Sequence, residues 1–213
     1  MSHKITKAKL KLAVEDLSQR DPDLKKFYLA SGLPELRSRP TGYGTLVKII
    51  CGQQVSTAAA RAISGRLDTI ARPMTPEIFL EIPEKNVKEI GLSRQKIAYA
   101  RGIAEAIING HLSFRRIASM EDDLAIGEMV KLKGVGRWTA EVYLLFALRR
   151  PDIWPADDLG IIKGLMGLKG LRSRPSPEYL MRIGEEYRPW RSAAARMMWH
   201  YTNIARRKTF FEN

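Results

Sequence analysis

Residues Leu132–Ile162 read LKGVGRWTAEVYLLFALRRPDIWPADDLGII, and the way this stretch folds decides the reading of the rest. Gly134-Val135-Gly136 interrupts a helical pattern with two residues that reach positive φ without steric cost. Trp138, Val142 and Leu145 then recur at i, i+4 and i+7, which predicts a helix starting directly after the turn. The first N–H groups of a helix have no intrahelical acceptor and lie at the positive end of its dipole, so an anion such as phosphate is the natural occupant of the turn. Beyond a short loop, Asp157 and Asp158 open another helix and hold a carboxylate at the end of an apolar and basic segment. A phosphate anchor and a fixed acid this close together point to chemistry on nucleic acid.

Charge supports a polyanionic partner. The 213 residues carry 36 Lys+Arg against 23 Asp+Glu, a net charge of +13 that favours nucleic acid or an acidic membrane surface. The basic residues do not gather on one long amphipathic helix, so a membrane surface is the weaker option. Hydrophobic residues at 45% and charged residues at 28% are ordinary globular values, which exclude a disordered chain. The single cysteine, Cys51, cannot build a disulfide framework, a thiolate zinc site or an iron–sulfur cluster. The three histidines show no ligand spacing. The N-terminus has charge but no apolar h-region, and no apolar run is long enough to span a membrane. The expectation is a reduced, cytoplasmic protein, nucleoid-associated if bacterial, with no metal in its chemistry.

Helical signals account for nearly everything else. Asp21-Pro22, Thr75-Pro76 and Ser176-Pro177 each place a capping side chain before a proline at the first helical position. Leu10, Val14 and Leu17 give a first amphipathic stripe, and Gly32 stops the helix after Pro22. Leu33 to Gly44 is a loop rich in Pro, Gly and Arg, taken as the first lobe boundary. Leu46 to Cys51 is apolar all round and should be buried; Gly52-Gln53-Gln54-Val55-Ser56 breaks it, and Ser56 can cap the next helix. Ser93 caps a longer helix that ends at Gly110, and Met120 to Lys131 forms the first half of the helix–turn–helix unit. The last helix begins near Pro189-Trp190. No period-two pattern is sustained anywhere, so the fold class is all-α.

Four segments carry a resemblance to a known family: Gly52-Gln53-Gln54-Val55-Ser56, Gly134-Val135-Gly136-Arg137-Trp138-Thr139-Ala140, Pro155-Ala156-Asp157-Asp158-Leu159 and Pro189-Trp190-Arg191-Ser192. Together they resemble the helix-hairpin-helix DNA glycosylase superfamily, in particular its alkylpurine branch (3-methyladenine DNA glycosylase II), in a compact form without the N-terminal β-rich domain of some members. The resemblance implies two helical lobes with the hairpin and an active-site cleft between them. One lobe would span 40–152, and the other would combine 1–39 with 153–213. It also implies a monofunctional enzyme of base excision repair that hydrolyses the N-glycosidic bond of alkylated purines flipped out of duplex DNA. A monomer acting on double-stranded DNA with a damaged base is expected, with no membrane partner.

The same resemblance assigns roles. Asp158 falls on the family's catalytic Asp, which stabilises an oxocarbenium-like sugar; a helix cap is the competing role for either Asp, and Asp157 is assigned to capping or solvent. Trp138 stands where the lyase-active members carry a Schiff-base lysine, so strand cleavage is not expected. Trp138 and Trp199 match the two indoles of the base pocket, with core packing as the competing role for each. A tyrosine expected one turn after Trp138 is replaced by Val142, with Tyr143 one position later. Gln54 matches the residue wedged into the DNA stack, with a plain loop residue capping helix ends as the competing role, while Gln53 is read as structural. Gly134, Gly136 and Arg137 are the phosphate-binding candidates. No cofactor is required, although hairpin carbonyls in this superfamily can hold a monovalent cation. The rival readings are a non-catalytic hairpin DNA-binding protein and a glycosylase for oxidised or deaminated bases.

Overall fold

The structure is a computed structural model that describes residues 4–211, with side chains as far as residue 205. Its described residues form thirteen helices and no strand. In chain order these begin with α1 (Lys7–Arg20), α2 (Pro22–Ser31), α3 (Tyr43–Cys51), α4 (Thr57–Ile70) and α5 (Pro76–Glu81). Next come α6 (Glu84–Glu89), α7 (Arg94–Ile108), α8 (Phe114–Ser119), α9 (Asp122–Met129) and α10 (Arg137–Phe146). The chain closes with α11 (Leu159–Lys169), α12 (Pro177–Glu186) and α13 (Arg191–Phe211). No helix among the described residues is long and apolar enough to cross a membrane.

The three capping-residue–proline pairs start α2, α5 and α12, and in each the side chain accepts a hydrogen bond from a first-turn N–H. Ser56 and Ser93 cap α4 and α7 in the same way. Between Gly110 and Met120, a segment without a sustained apolar period, α8 forms. Six residues are too few to display a helical period, and what fixes them is Ser113 as cap and Phe114 stacked on Tyr143 at 5.3 Å.

Two compact units emerge, Arg39–Tyr143 and the remainder. In the central unit, Leu46, Val47 and Ile50 of α3 are fully buried, as are Phe79, Val87 and Ile117. The α3 lysine, Lys48, escapes the apolar surroundings by pairing with Asp68 at 2.7 Å. The second boundary falls at Leu144, earlier than the 152 that the sequence suggests. Its cause is that α10 leaves the central unit before it ends: the Phe146 ring stacks on Trp199 and the Leu145 carbonyl accepts from Arg196, both on α13.

In the other unit α11 lies directly on α13. Gly160, Gly164 and Gly167 form a stripe at i, i+4 and i+7, and a Cβ at Gly164 would overlap the Met198 backbone. Removing side chains from this stripe lets the two backbones touch. A polar knot ties α2, α11 and α12 together. Asp21 caps α2, accepts from Lys169 Nζ at 2.8 Å and from the Tyr187 hydroxyl at 2.8 Å, and is 6% exposed.

Burial alone would raise the Asp21 carboxyl, but its bonds from Lys169, Tyr187 and the Leu24 N–H outweigh that and hold it below its ordinary 3.8. A depressed carboxyl stabilises the fold fully above the ordinary value and ceases to as pH falls through the lowered one. Lys169→Met, which leaves Asp21 buried without its cation, should cost roughly 3 kcal/mol near neutrality. Urea unfolding at pH 7 and again near pH 3 checks this. The gap between variant and wild type should shrink in acid, because a neutral Asp21 no longer needs the lysine.

Candidate active site

The turn between α9 and α10 contains two glycines that look alike in sequence and differ in structure. Gly134 has φ +89°, and a Cβ there would overlap the Tyr99 ring of α7, so both backbone and packing demand glycine. Gly136 has no positive φ and nothing within 4 Å of a would-be Cβ. The fold therefore does not require glycine at 136. Val135 plugs the turn into the core at 4% exposure, and its N–H donates to the Leu132 carbonyl at 3.0 Å. Arg137, on the first turn, is 62% exposed, but its Nε donates to Glu141 at 2.9 Å and Asp123 lies 4.0 Å away. Its guanidinium is thus held along α10 and partly neutralised.

On the same helix Trp138 is half-buried and Val142 is buried. Tyr143 is fully buried, stacks on Phe114 and accepts the Gly42 N–H on its hydroxyl at 2.8 Å. Burial pushes that phenol up to about 12. Tyr143 is therefore a core residue and does not stand in for the tyrosine expected one position earlier.

The loop after α3 is braced from several sides. Gln54 at its tip is exposed and sits at φ +55°, a conformation that costs a residue with a Cβ about 1 kcal/mol. Beneath it, Lys96 Nζ of α7 donates to the carbonyls of Cys51 (2.9 Å) and Gln53 (2.7 Å). The Gln53 amide nitrogen donates to the Gly134 carbonyl at 3.0 Å and to the Thr139 hydroxyl at 2.9 Å. A carbonyl can only accept, so the amide must turn its NH2 this way. Gln53 is structural, as its sequence context suggests, but its partners are the hairpin itself.

Asp158 is the residue that caps α11, while Asp157 is exposed. The cap that spacing allows for Asp157 thus belongs to its neighbour, since the helix begins at Leu159. Three donors converge on Asp158 Oδ1: the N–H of Gly160 at 2.8 Å, that of Ile161 at 3.0 Å and the Trp199 indole Nε1 at 2.8 Å. Trp199 is half-buried, with its ring stacked on Phe146 at 5.2 Å. The Arg196 guanidinium lies 5.1 Å from the Phe146 centroid and donates to the carbonyls of Arg37 and Leu145. Burial and the nearby Arg37 charge bring that guanidinium down to about 10. A Cβ on Gly160 would stand 2.7 Å from Trp199 Cδ1 and 3.0 Å from Asp158 Oδ1.

Asp158 and Trp199 are thus in direct contact, and in the central unit the Gln54 loop is tied to the Gly134 turn. The sequence does not mark Phe146, Gly160 or Lys96 as site residues. Gly160 left a trace, a helix-weakening glycine just inside a helix start; Phe146 left none, because its partner is 53 positions away.

The glycine-turn hairpin thus lies in one unit and the helix-capping acid held by an indole in the other. The chain belongs to the HhH-GPD superfamily of base excision DNA repair proteins, whose model matches residues 47–189. It is 34% identical over 167 residues to a DNA-3-methyladenine glycosylase of Schizosaccharomyces pombe, covering 76% of this chain and 73% of that one. Among solved structures, the S. pombe 3-methyladenine DNA glycosylase in complex with abasic DNA superposes with a TM-score of 0.81 at 30% identity, covering 91% of this chain and 96% of that one. The DNA-3-methyladenine glycosidase of Bacillus halodurans superposes with a TM-score of 0.78 at 27% identity, covering 92% and 91%.

Proposed function

We infer that this chain is a monofunctional DNA glycosylase that removes alkylated purines of the 3-methyladenine type from duplex DNA. The observation that carries the reading is the Asp158 carboxylate, oriented through one oxygen by a helix amino end and by the Trp199 indole. A target purine is unreachable inside the stack, so the nucleotide is first everted, with Gln54 filling the gap it leaves. The bond between the sugar C1′ and the purine nitrogen then breaks, and its electron pair leaves with the base. Alkylation has already made that base cationic, so it departs neutral without needing a proton from the protein. Positive charge develops on the sugar ring, and the Asp158 carboxylate stabilises it at close range. Water adds at C1′, loses a proton, and leaves an abasic site.

Trp138 is assigned to the base, stacking its electron-rich face on the cationic purine. With an indole and no amine at this position, no Schiff base can form on the sugar. The Gly134–Gly136 turn takes the DNA backbone, with the net charge of +13 supplying the long-range attraction.

The test is a panel of duplexes carrying 3-methyladenine, 7-methylguanine, hypoxanthine, 1,N6-ethenoadenine or 8-oxoguanine. Release of methylated purine is expected, with strands breaking only after alkali. Strand cleavage without alkali, or release of 8-oxoguanine alone, would overturn the reading.

A further inference from the structure

Resting on the reading of Gln54 as the wedge, we propose that Gln53 is a positioning residue which fixes the wedge loop to the phosphate-gripping turn, so that seating the DNA backbone sets the depth of the wedge. The two amide bonds of Gln53 end on Gly134 and Thr139, one in the turn and one in the first helical turn behind it. Thr139 is buried, at 1% exposure, so this end of the brace is anchored in the core. A single face of α7 supports both parts. Lys96 holds the loop by the carbonyls of Cys51 and Gln53, and three residues on, Tyr99 lies where a Gly134 side chain would be. Residues at i and i+3 share a helix face, so loop and turn stand on one platform with Gln53 as cross-brace.

The strain lies where this arrangement would make use of it. Gln54 holds a left-handed backbone at an exposed tip, a conformation that persists only when its surroundings over-determine it. Without the cross-brace the loop gains neighbouring conformations in which residue 54 points elsewhere. The brace meets the hairpin on a carbonyl and a hydroxyl, so it takes no N–H donor from the face offered to phosphate. Its loss should therefore spare backbone affinity and affect the wedge alone.

The experiment uses a duplex with a tetrahydrofuran abasic analogue and 2-aminopurine as the orphaned base opposite it. Its fluorescence at saturating protein reports whether the orphan is contacted by a wedge, and a titration gives affinity for the same duplex. Wild type should change the signal strongly, and Gln54→Ala should abolish that change. Gln53→Met keeps the length of the side chain without its donors; it should reduce the wedged population about tenfold while the dissociation constant moves less than about threefold. Unchanged fluorescence with Gln53→Met, while Gln54→Ala is silent, overturns the positioning role and leaves the wedge standing. Unchanged fluorescence with Gln54→Ala overturns the wedge and this inference with it. A large loss of affinity with Gln53→Met would make Gln53 a support of the turn alone, and also overturns the inference. Should Gln53→Met not fold, Lys96→Met removes the other brace on the same loop and must dim the signal in the same direction.

Discussion

Asp158→Asn should slow excision of a methylated purine by about a thousandfold while DNA affinity stays within about twofold. The substitution is close to a pure removal of charge. Three N–H donors converge on Oδ1, so the asparagine must keep its oxygen there and turn its NH2 the other way. The cap on α11 and the bond from the Trp199 indole survive, and the thermal midpoint should barely move. What disappears is the negative charge facing the sugar as it becomes cationic. Single-turnover excision on a lesion duplex, with the dissociation constant measured on an abasic analogue, separates the two quantities. A variant that excises at the wild-type rate would remove Asp158 from the mechanism. A variant that fails to bind would show that the residue supports the fold or the DNA surface and does not act on the sugar.

The parts of this molecule that were legible in sequence are those whose causes are local. A capping side chain, a proline and a stripe of apolar residues lie within a few positions of one another, which is why Asp21-Pro22, Thr75-Pro76 and Ser176-Pro177 mark true helix starts. The same holds for the glycine turn, but only up to a point. Gly134 and Gly136 are equivalent letters, and only packing reveals that one is required by Tyr99 and the other by nothing in the protein. The adjacent aspartates pose a similar problem. Which of them caps the helix depends on where α11 begins, a matter of one residue that hydrophobic periodicity does not resolve. Tyr143 stands one position past the tyrosine that the resemblance implies, which is 100° around a helix, and its ring packs on Phe114 with its hydroxyl on the Gly42 N–H. The contact between Asp158 and Trp199 links residues 41 positions apart and exists because glycines let α11 and α13 meet backbone to backbone. In a sequence those glycines register only as weak helix formers.

That close meeting yields the second large expected effect. Gly160→Ala should lower the excision rate by about a hundredfold without removing any group that contacts substrate. Alanine is the better helix former by about 1 kcal/mol, so α11 itself gains. The added methyl, however, lies 2.7 Å from Trp199 Cδ1 and 3.0 Å from Asp158 Oδ1, too near for both to stay in place. Trp199 cannot simply retreat, because its ring is stacked on Phe146, which itself lies under the Arg196 guanidinium. Either the indole tilts and its N–H leaves the carboxylate, or the carboxylate rotates off its cap. Both move the acid relative to the sugar by a large fraction of an ångström. A double-mutant cycle with Trp199→Ala distinguishes this from general damage to the helix. Trp199→Ala should itself be slow, because the acid loses one donor, and adding Gly160→Ala should then cost little more, since the ring it would strike is gone. If the two losses multiply instead, the alanine acts on the helix or directly on the carboxylate and not through the indole.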